Sequence, residues 1–203
     1  MNYNDDIVIP QQIKQRLIDV EYTPQKMKEI EYDSMGDDDI RDYFPNIKII
    51  TYPELKNYNA IEQILPHDKS HCIVLYLQTP SSGHWSMLSK NNNCIEFFCS
   101  YGSSPSTPLK WTPESVRIKL NQNVPYLDIL LSKTKERVIY NPIDYQNNRD
   151  LKVSTCGRHC CLRLTTILKY NMPLNDYYEM MKKIKTTMNM TYDEIVSEYI
   201  DKI

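Results

Sequence analysis

Three short apolar segments in the middle of the chain constrain its fold more than any other feature of the sequence. Residues 71–78 form a continuous apolar run, which is typical of a buried strand. The turn sequence TPSSG leads into residues 84–88, and the turn sequence KNNN leads into residues 94–100. Extended segments separated by short turns of this kind are typical of adjacent antiparallel strands. The middle of the chain is therefore predicted to form a small, mostly antiparallel sheet.

Helical sequence patterns precede and follow this predicted sheet. Helices are predicted at residues 7–18, 23–30, 37–43, 58–65, 113–121, 156–170, 174–184 and 192–200. Thr191 and Glu194 form a T-x-x-E capping box at the start of the last of these helices. Two further strands are predicted at residues 47–51 and 138–145. This order of elements indicates an α+β fold with a small central sheet flanked by helices.

The charge balance and hydropathy of the chain narrow its functional classes. Its 203 residues fit one domain, with or without an N-terminal extension. With 24 Lys and Arg against 26 Asp and Glu, nucleic acid is not expected as a main partner. The longest strongly apolar run, residues 73–77, is too short to span a bilayer, and no signal-peptide pattern opens the sequence. We therefore expect a cytoplasmic protein whose six cysteines stay mostly reduced.

Half of these cysteines lie in one short segment, STCGRHCCLRL, at residues 154–164. Cys156 stands at the start of a predicted helix, where the partial positive charge of the helix N-terminus favours a thiolate. The thiolate is the nucleophilic form of cysteine, and Gly157 would let substrate and backbone approach closely. Cys160 and Cys161, one turn further on, are interpreted as small core residues. The segment thus contains a candidate nucleophile.

Two other interpretations of the cysteine segment remain open from these residues alone. All three cysteines could be buried core sulfur. Alternatively, Cys156 and His159 could bind zinc together with His67, His71 and Cys72. No second tight pair at the usual ligand spacing supports the zinc interpretation.

A nucleophilic cysteine needs a histidine that accepts its proton and later protonates the leaving amine. His84 opens a predicted strand, although it could equally be an ordinary histidine beside a core tryptophan. His159 would point along the helix rather than across a cleft, so it is a poor candidate base. On the next strand, Glu96 and Cys99 must face opposite sides, so only one of them can point at His84. Gln146 offers a neutral N–H donor for a developing oxyanion, although a loop glutamine usually has no such role.

Taken in this order, the segments resemble the adenain-like and SUMO-protease-like cysteine peptidases, especially those of large DNA viruses and virophages. The resemblance runs through GHW at 83–85, EFFCSYG at 96–102, Gln146, TCGRH at 155–159 and DEIV at 193–196. It covers residues 34–203, so residues 1–33 are interpreted as an N-terminal extension and residues 34–203 as a cysteine protease domain. It implies the papain-like α+β fold of this family.

The resemblance also implies a role for each matching residue. Cys156 matches the nucleophile, His84 the general base, and Gln146 the oxyanion-hole residue, although Gln146 and Cys156 are farther apart in sequence than is usual. Cys99 stands where the family has Asp, Asn or Glu, so we expect it to orient His84 only weakly. The residues that the resemblance places against the substrate are Trp85, Gly83, Gly157 and Tyr101.

The activity implied by the resemblance is that of a viral maturation protease. It would cleave capsid and other structural precursor proteins through a thioester, as a monomer, with no metal or organic cofactor and no membrane partner. We expect it in the host cytoplasm, in the viral factory, and in the virion. The alternatives are a protease that removes ubiquitin or SUMO-like modifiers from host proteins, and a non-catalytic zinc-binding or assembly module.

Overall fold

The computed structural model describes residues 8–19, 22–92 and 94–200. Residue 7, the first residue of the helix predicted at 7–18, lies outside the described residues. So do the beginning of the predicted extension at 1–33 and the end of the predicted domain at 34–203. The chain divides into two units, and each is described by itself. The sheet unit is Ile40–Asp144, and the helical unit combines the described residues up to Asp39 with those from Tyr145 onward.

The described residues form five strands and eight α-helices. The strands are β1 (Lys48–Thr51), β2 (His71–Leu77), β3 (Gly83–Asn91), β4 (Cys94–Cys99) and β5 (Arg137–Tyr140). The helices are α1 (Gln11–Asp19), α2 (Pro24–Tyr32), α3 (Asp37–Tyr43), α4 (Glu114–Lys119), α5 (Tyr126–Lys133), α6 (Cys156–Tyr170), α7 (Leu174–Met188) and α8 (Tyr192–Tyr199). The predicted α+β class is confirmed.

The five strands form one sheet in the order of the sequence. β2, β3 and β4 are antiparallel neighbours, as the short turns between them predict. Both edge pairs, β1 with β2 and β4 with β5, are parallel, so the sheet is mixed. Parallel neighbours need a crossover connection, and the chain provides one on each side through the helical turns after β1 and through α4 and α5.

One face of the sheet packs against α5 to form the core of the sheet unit. Alternate residues of the central strands, including Val74, Leu88 and Phe97, contribute to this face, as expected for a period of two. Leu127 and Leu130 of α5 cover it and are fully buried. The helix predicted at 58–65 is replaced by one short 3₁₀ turn, Ile61–Gln63, and α5 was not predicted.

The core of the helical unit includes most of α6, whose residues 156–167 are all buried. The capping box predicted for α8 is confirmed, because Thr191 and Glu194 exchange hydrogen bonds of 2.6 and 3.1 Å. Arg158 is also buried; its Nε donates to the Ile200 carbonyl at 3.0 Å, and its Nη1 donates to the Asp33 carbonyl. The residues around Asp33 thus lie against the helix that begins with Cys156. The division into an N-terminal extension at residues 1–33 and a protease domain at residues 34–203 stays a prediction.

None of the helices in the described part of the chain combines the length and the hydrophobicity needed to span a membrane.

Candidate active site

His84 is held at the beginning of β3 by an unusually close approach of two backbones. It pairs with Tyr76 of β2 and is buried, with 4% of its surface exposed. The residue before it, Gly83, lies so near β2 that an added Cβ would be 1.8 Å from the Tyr76 carbonyl oxygen. Gly83 is therefore required by the packing of the two strands, whether or not it also contacts substrate as predicted.

Gly83→Ala should lower the free energy of unfolding by about 1–3 kcal/mol, because the new methyl group forces β2 and β3 apart. Urea denaturation measures the loss. Gly36→Ala is the matched control, since its Cβ would meet only Asp39 Oδ2 at an ordinary 3.7 Å. Equal stability of the two variants would contradict the close approach.

The imidazole of His84 lies against the thiol of Cys99. Its Nε2 is 3.3 Å from Cys99 Sγ, and both groups are buried. The register explains the contact, because Cys99 pairs with Ser86, two residues beyond His84 and on the same face of the sheet. Glu96 pairs with Ser89 and therefore faces the other side, as the sequence predicts. The position of Cys99 is fixed further by Asn141, whose Nδ2 donates to the Cys99 carbonyl at 2.7 Å.

Two aromatic rings surround the imidazole. The ring centroid of His84 lies 5.3 Å from that of Tyr101 and 5.0 Å from that of Trp111. Tyr101 was predicted at the site, and Trp111 was not. Trp85, which was expected to wall the site, points to the opposite face of the sheet from His84, because neighbours in a strand alternate. Trp111 is 40% exposed, so part of its ring faces solvent.

Gly102, directly after Tyr101, has a backbone conformation that favours glycine. Its φ of +62° is in the left-handed region that favours glycine. An added Cβ would lie 2.8 Å from the backbone carbon of Ile143, so two independent constraints select glycine here. The turn leaves Tyr101 bridged to Asp144. The glycine of the EFFCSYG segment therefore supports the position of Tyr101.

In the helical unit, Cys156 is the first residue of α6, as the sequence predicts. It is buried, with 6% of its surface exposed, and Gly157 beside it is also buried. Cys160 and Cys161 are fully buried, and burial raises the pKa of the Cys161 thiol to about 12. Their predicted place in the core is confirmed. A thiol with so high a pKa stays protonated and unreactive at neutral pH.

The loop before Cys156 begins with Gln146. Gln146 is buried, and its Nε2 donates to the Val153 carbonyl at 3.1 Å. An amide nitrogen carries two hydrogens, and this bond uses one of them. Ser154, at the other end of the loop, donates its N–H to the Glu31 carbonyl at 2.8 Å. The long spacing between Gln146 and Cys156 is thus accommodated by a loop whose two ends are hydrogen-bonded.

A buried carboxylate that the sequence analysis missed, Asp193 of α8, lies between this loop and α6. Its Oδ2 accepts the N–H of Asn147 at 2.8 Å. Its Oδ1 accepts the hydroxyl of Thr155 and lies 3.1 Å from Nε2 of His159. Burial alone would raise the pKa of Asp193. The hydrogen bond and the charge of His159, together with the hydrogen bonds from Thr155 and Asn147, instead hold this pKa below its ordinary value. The only signal in the sequence was its place in the DEIV segment.

The zinc interpretation lacks a ligand set. Within residues 8–19, 22–92 and 94–200, no three His, Cys, Asp or Glu side chains are grouped as a metal site requires. His71 instead contacts the Ser89 hydroxyl at 3.0 Å, and burial lowers its pKa to about 4. Burial likewise raises the pKa of Cys72 to about 12.

Known proteins similar to the chain include one relative by sequence and two solved structures. No protein-family model matches. Protein V9 of the Sputnik virophage, itself described as uncharacterized, is 36% identical over 180 residues, which cover 84% of this chain and 98% of V9.

Both solved structures are proteases. The ASFV pS273R protease matches with a TM-score of 0.45 and 13% identity, over 85% of this chain and 68% of its own. The C-terminal Ulp1 protease domain, solved in complex with Smt3, the yeast ortholog of SUMO, matches with a TM-score of 0.40 and 13% identity, over 94% of this chain and 92% of its own. Likenesses this distant do not assign an activity or a catalytic residue to the chain.

Proposed function

The chain belongs to the family of the Sputnik virophage protein V9, and we propose that it is a cysteine endopeptidase that cleaves viral structural precursors during virion maturation. The observation that carries the proposal is the buried contact between Nε2 of His84 and Sγ of Cys99. Through this contact Cys99 can orient the imidazole of His84. Cys99 stands at the sequence position where the resembled peptidases have an acid or an amide. Cys156, at the start of α6, supplies the nucleophile.

In the proposed reaction, His84 takes the proton of the Cys156 thiol, and the thiolate attacks the carbonyl carbon of the scissile peptide bond. The C–N bond then breaks, His84 passes its proton to the leaving amine, and a thioester remains on Cys156. Water attacks the thioester and gives one proton to His84; the C–S bond then breaks, the carboxylic acid product leaves, and His84 returns the proton to the Cys156 thiolate. Because Nε2 is directed at Cys99, the proton moves through Nδ1 of His84.

The negative charge that develops on the carbonyl oxygen needs donors that are already in place. We assign this role to the side-chain amide of Gln146 and to the backbone N–H of Cys156. The N–H groups of the first helical turn point toward the N-terminal end of the helix, where the helix dipole favours negative charge. No step of this scheme requires a metal or an organic cofactor.

Cys99→Asp should keep or raise kcat/KM, because a carboxylate holds an imidazolium better than a neutral thiol does. Cys99→Ala should lower kcat/KM by about tenfold at most, since one weak hydrogen bond is lost. Cleavage of a peptide containing a mapped cut site measures both effects. Cys72→Ala, a second buried cysteine on the same face of the sheet, is the matched control. A Cys99→Ala protein as inactive as Cys156→Ala would show that Cys99 is more than a weak orienting group.

The substrate is tested with the full chain and the major capsid protein of its own virus. Mass spectrometry of new N-termini should map cuts next to small residues such as Gly, with a Cys156→Ala protein as the inactive control. A parallel reaction contains a ubiquitin-like protein fused through its C-terminus to a fluorophore. Release of the fluorophore without capsid cleavage would favour the removal of modifiers. No cleavage in either reaction, with no selectively reactive cysteine, would indicate a non-catalytic assembly module.

The proposed setting is that of a protease that acts during virion maturation. The partners are capsid and other structural precursors, and the protein acts as a monomer in the viral factory of the host cytoplasm and in the virion. Sedimentation of the purified chain tests the oligomeric state, and a proteomic comparison of purified virions with infected-cell cytoplasm tests the location.

A further inference from the structure

Asp193 joins the two segments of the helical unit that carry the predicted oxyanion donor and the predicted nucleophile. Its Oδ2 accepts the N–H of Asn147, the residue directly after Gln146. Its Oδ1 accepts the hydroxyl of Thr155, the residue directly before Cys156. One side chain therefore fixes the chain neighbour of each of these two residues.

Polar contacts rather than apolar packing hold the middle of the loop between the two segments, where Asp150 accepts the Tyr32 hydroxyl at 3.0 Å and the Lys152 N–H at 3.1 Å. Leu151 is 95% exposed, so no apolar packing fixes the middle of the loop. Further hydrogen bonds lie at the ends of the loop, where Gln146 donates to the Val153 carbonyl and Ser154 donates to the Glu31 carbonyl. The bond from Asn147 to Asp193 is the contact that ties the beginning of the loop to α8.

The hydrogen bonds that Asp193 accepts are charge-assisted. Hydrogen bonds to an ionised carboxylate are shorter and about twice as strong as those between neutral groups. The depressed pKa of Asp193 means that the charged form is the one the site stabilises. An ionised carboxylate only accepts hydrogen bonds, so Nε2 of His159 must carry the hydrogen in their contact. Tyr145, the residue before Gln146, stacks on the His159 ring at 5.9 Å and adds a second link between the segments.

We propose that Asp193 is a positioning residue for peptide cleavage, which sets the Gln146 amide and Cys156 at the spacing that the oxyanion requires. The inference rests on the proposed function. Asp193 does not touch the reacting bond; it acts through Asn147 on one side and Thr155 on the other.

The Asp193→Asn substitution distinguishes the contact of Asp193 with Asn147 from its contact with Thr155. The amide oxygen of Asn can still accept from Thr155 and His159, which are two donors. The amide NH₂ group then faces the N–H of Asn147, donor against donor, and that bond is lost. The variant therefore releases the Gln146 segment while leaving the α6 segment in place, with almost no change in side-chain volume.

We expect kcat of the Asp193→Asn protein to fall about 10²-fold on a peptide containing a mapped cut site, because the oxyanion donor is misplaced. KM should stay within about twofold of the wild-type value, because the variant leaves the groups that bind the substrate unchanged. Alkylation of Cys156 by iodoacetamide forms no oxyanion, so its rate should also stay within about twofold. Exchange of the Asn147 amide hydrogen, followed by NMR, should become faster, because its acceptor is removed.

Glu194→Gln is the matched control. It removes one negative charge at the next residue but keeps an oxygen that can accept the Thr191 N–H of the capping box. We expect kcat and Asn147 exchange to remain at the wild-type values. Thr155→Val is a second variant, which removes the hydrogen bond from the Thr155 hydroxyl to Asp193 with almost no change in side-chain volume. It should also lower kcat and leave KM unchanged.

Three outcomes would overturn the inference. One is a wild-type kcat in both Asp193→Asn and Thr155→Val. Another is a parallel loss of kcat, Cys156 alkylation and thermal stability in both variants, which would mean that Asp193 only holds the fold. The third is a wild-type protein that cleaves no peptide and whose Cys156 is alkylated no faster than glutathione, which would overturn the proposed function as well. An active wild-type enzyme with both variants unaffected would remove this inference alone.

Discussion

The Cys156→Ala protein should cleave no substrate and should lose the selective alkylation that wild type shows at this residue. The reason is that the proposed reaction passes through a covalent bond to Cys156 Sγ, and no other group of the site can replace it. Peptide cleavage and peptide-level mass spectrometry after iodoacetamide treatment measure the two losses. Residual activity should be no more than the small acceleration that the oxyanion donors and substrate binding give without a nucleophile.

Cys161→Ala provides the comparison for this first prediction. Cys161 lies one turn further along α6, it is fully buried, and its pKa of about 12 keeps it protonated. Its loss should leave kcat close to wild type. The assignment of the nucleophile would be wrong if Cys156→Ala cleaved the substrate as fast as Cys161→Ala.

His84→Gln should lower kcat/KM by about 10²–10⁴-fold, the usual contribution of a general acid and base. The substitution keeps a polar group of similar size at the start of β3 but removes the group that carries the proton between thiol, amine and water. It should also slow the alkylation of Cys156 near neutral pH, because the thiolate loses its imidazolium partner. Both rates can be measured on the same preparation.

His71→Gln is the matched change for this second prediction. His71 belongs to the same sheet, at the beginning of β2, and contacts the Ser89 hydroxyl rather than any residue assigned to the reaction. It should leave kcat/KM and the alkylation rate nearly unchanged. Equal effects of the two substitutions would mean that His84 acts only through the stability of the sheet.

The parts of the fold that the sequence predicts are those that a local pattern determines. The antiparallel order of β2, β3 and β4 follows from two short turns, and the start of α6 follows from its apolar stripe. Alternation along β4 predicts that Glu96 and Cys99 face opposite sides of the sheet, and the strand register then places Cys99 toward His84. These signals are all contained within a few neighbouring residues.

The missed features depend on contacts between distant parts of the sequence. The predicted strand at 138–145 ends early as β5, because Pro142 has no N–H to pair and the Asn141 side chain bonds the Cys99 and Ile143 carbonyls instead. The apolar run that became α5 could have been helix or strand, and its packing on the sheet decides between them.

The candidate site shows the same division. Cys156, His84 and Gln146 were proposed from the sequence because their residue types and order resemble a known set. Trp111 and Asp193 were not, since a tryptophan after a loop and an aspartate at a helix start are ordinary in sequence. Only the folded chain brings Trp111 to the imidazole and gives Asp193 its three donors.

The buried Arg158 has a consequence for how this family can vary. Its guanidinium is charged at any physiological pH, so its partners must remain, yet the partners described are the main-chain carbonyls of Asp33 and Ile200. Every amino acid supplies such a carbonyl. These two hydrogen bonds thus depend on where the backbone runs at positions 33 and 200, so an insertion or deletion that shifts it there would remove them, and lysine, without the planar fork of donors, is a poor replacement for the arginine.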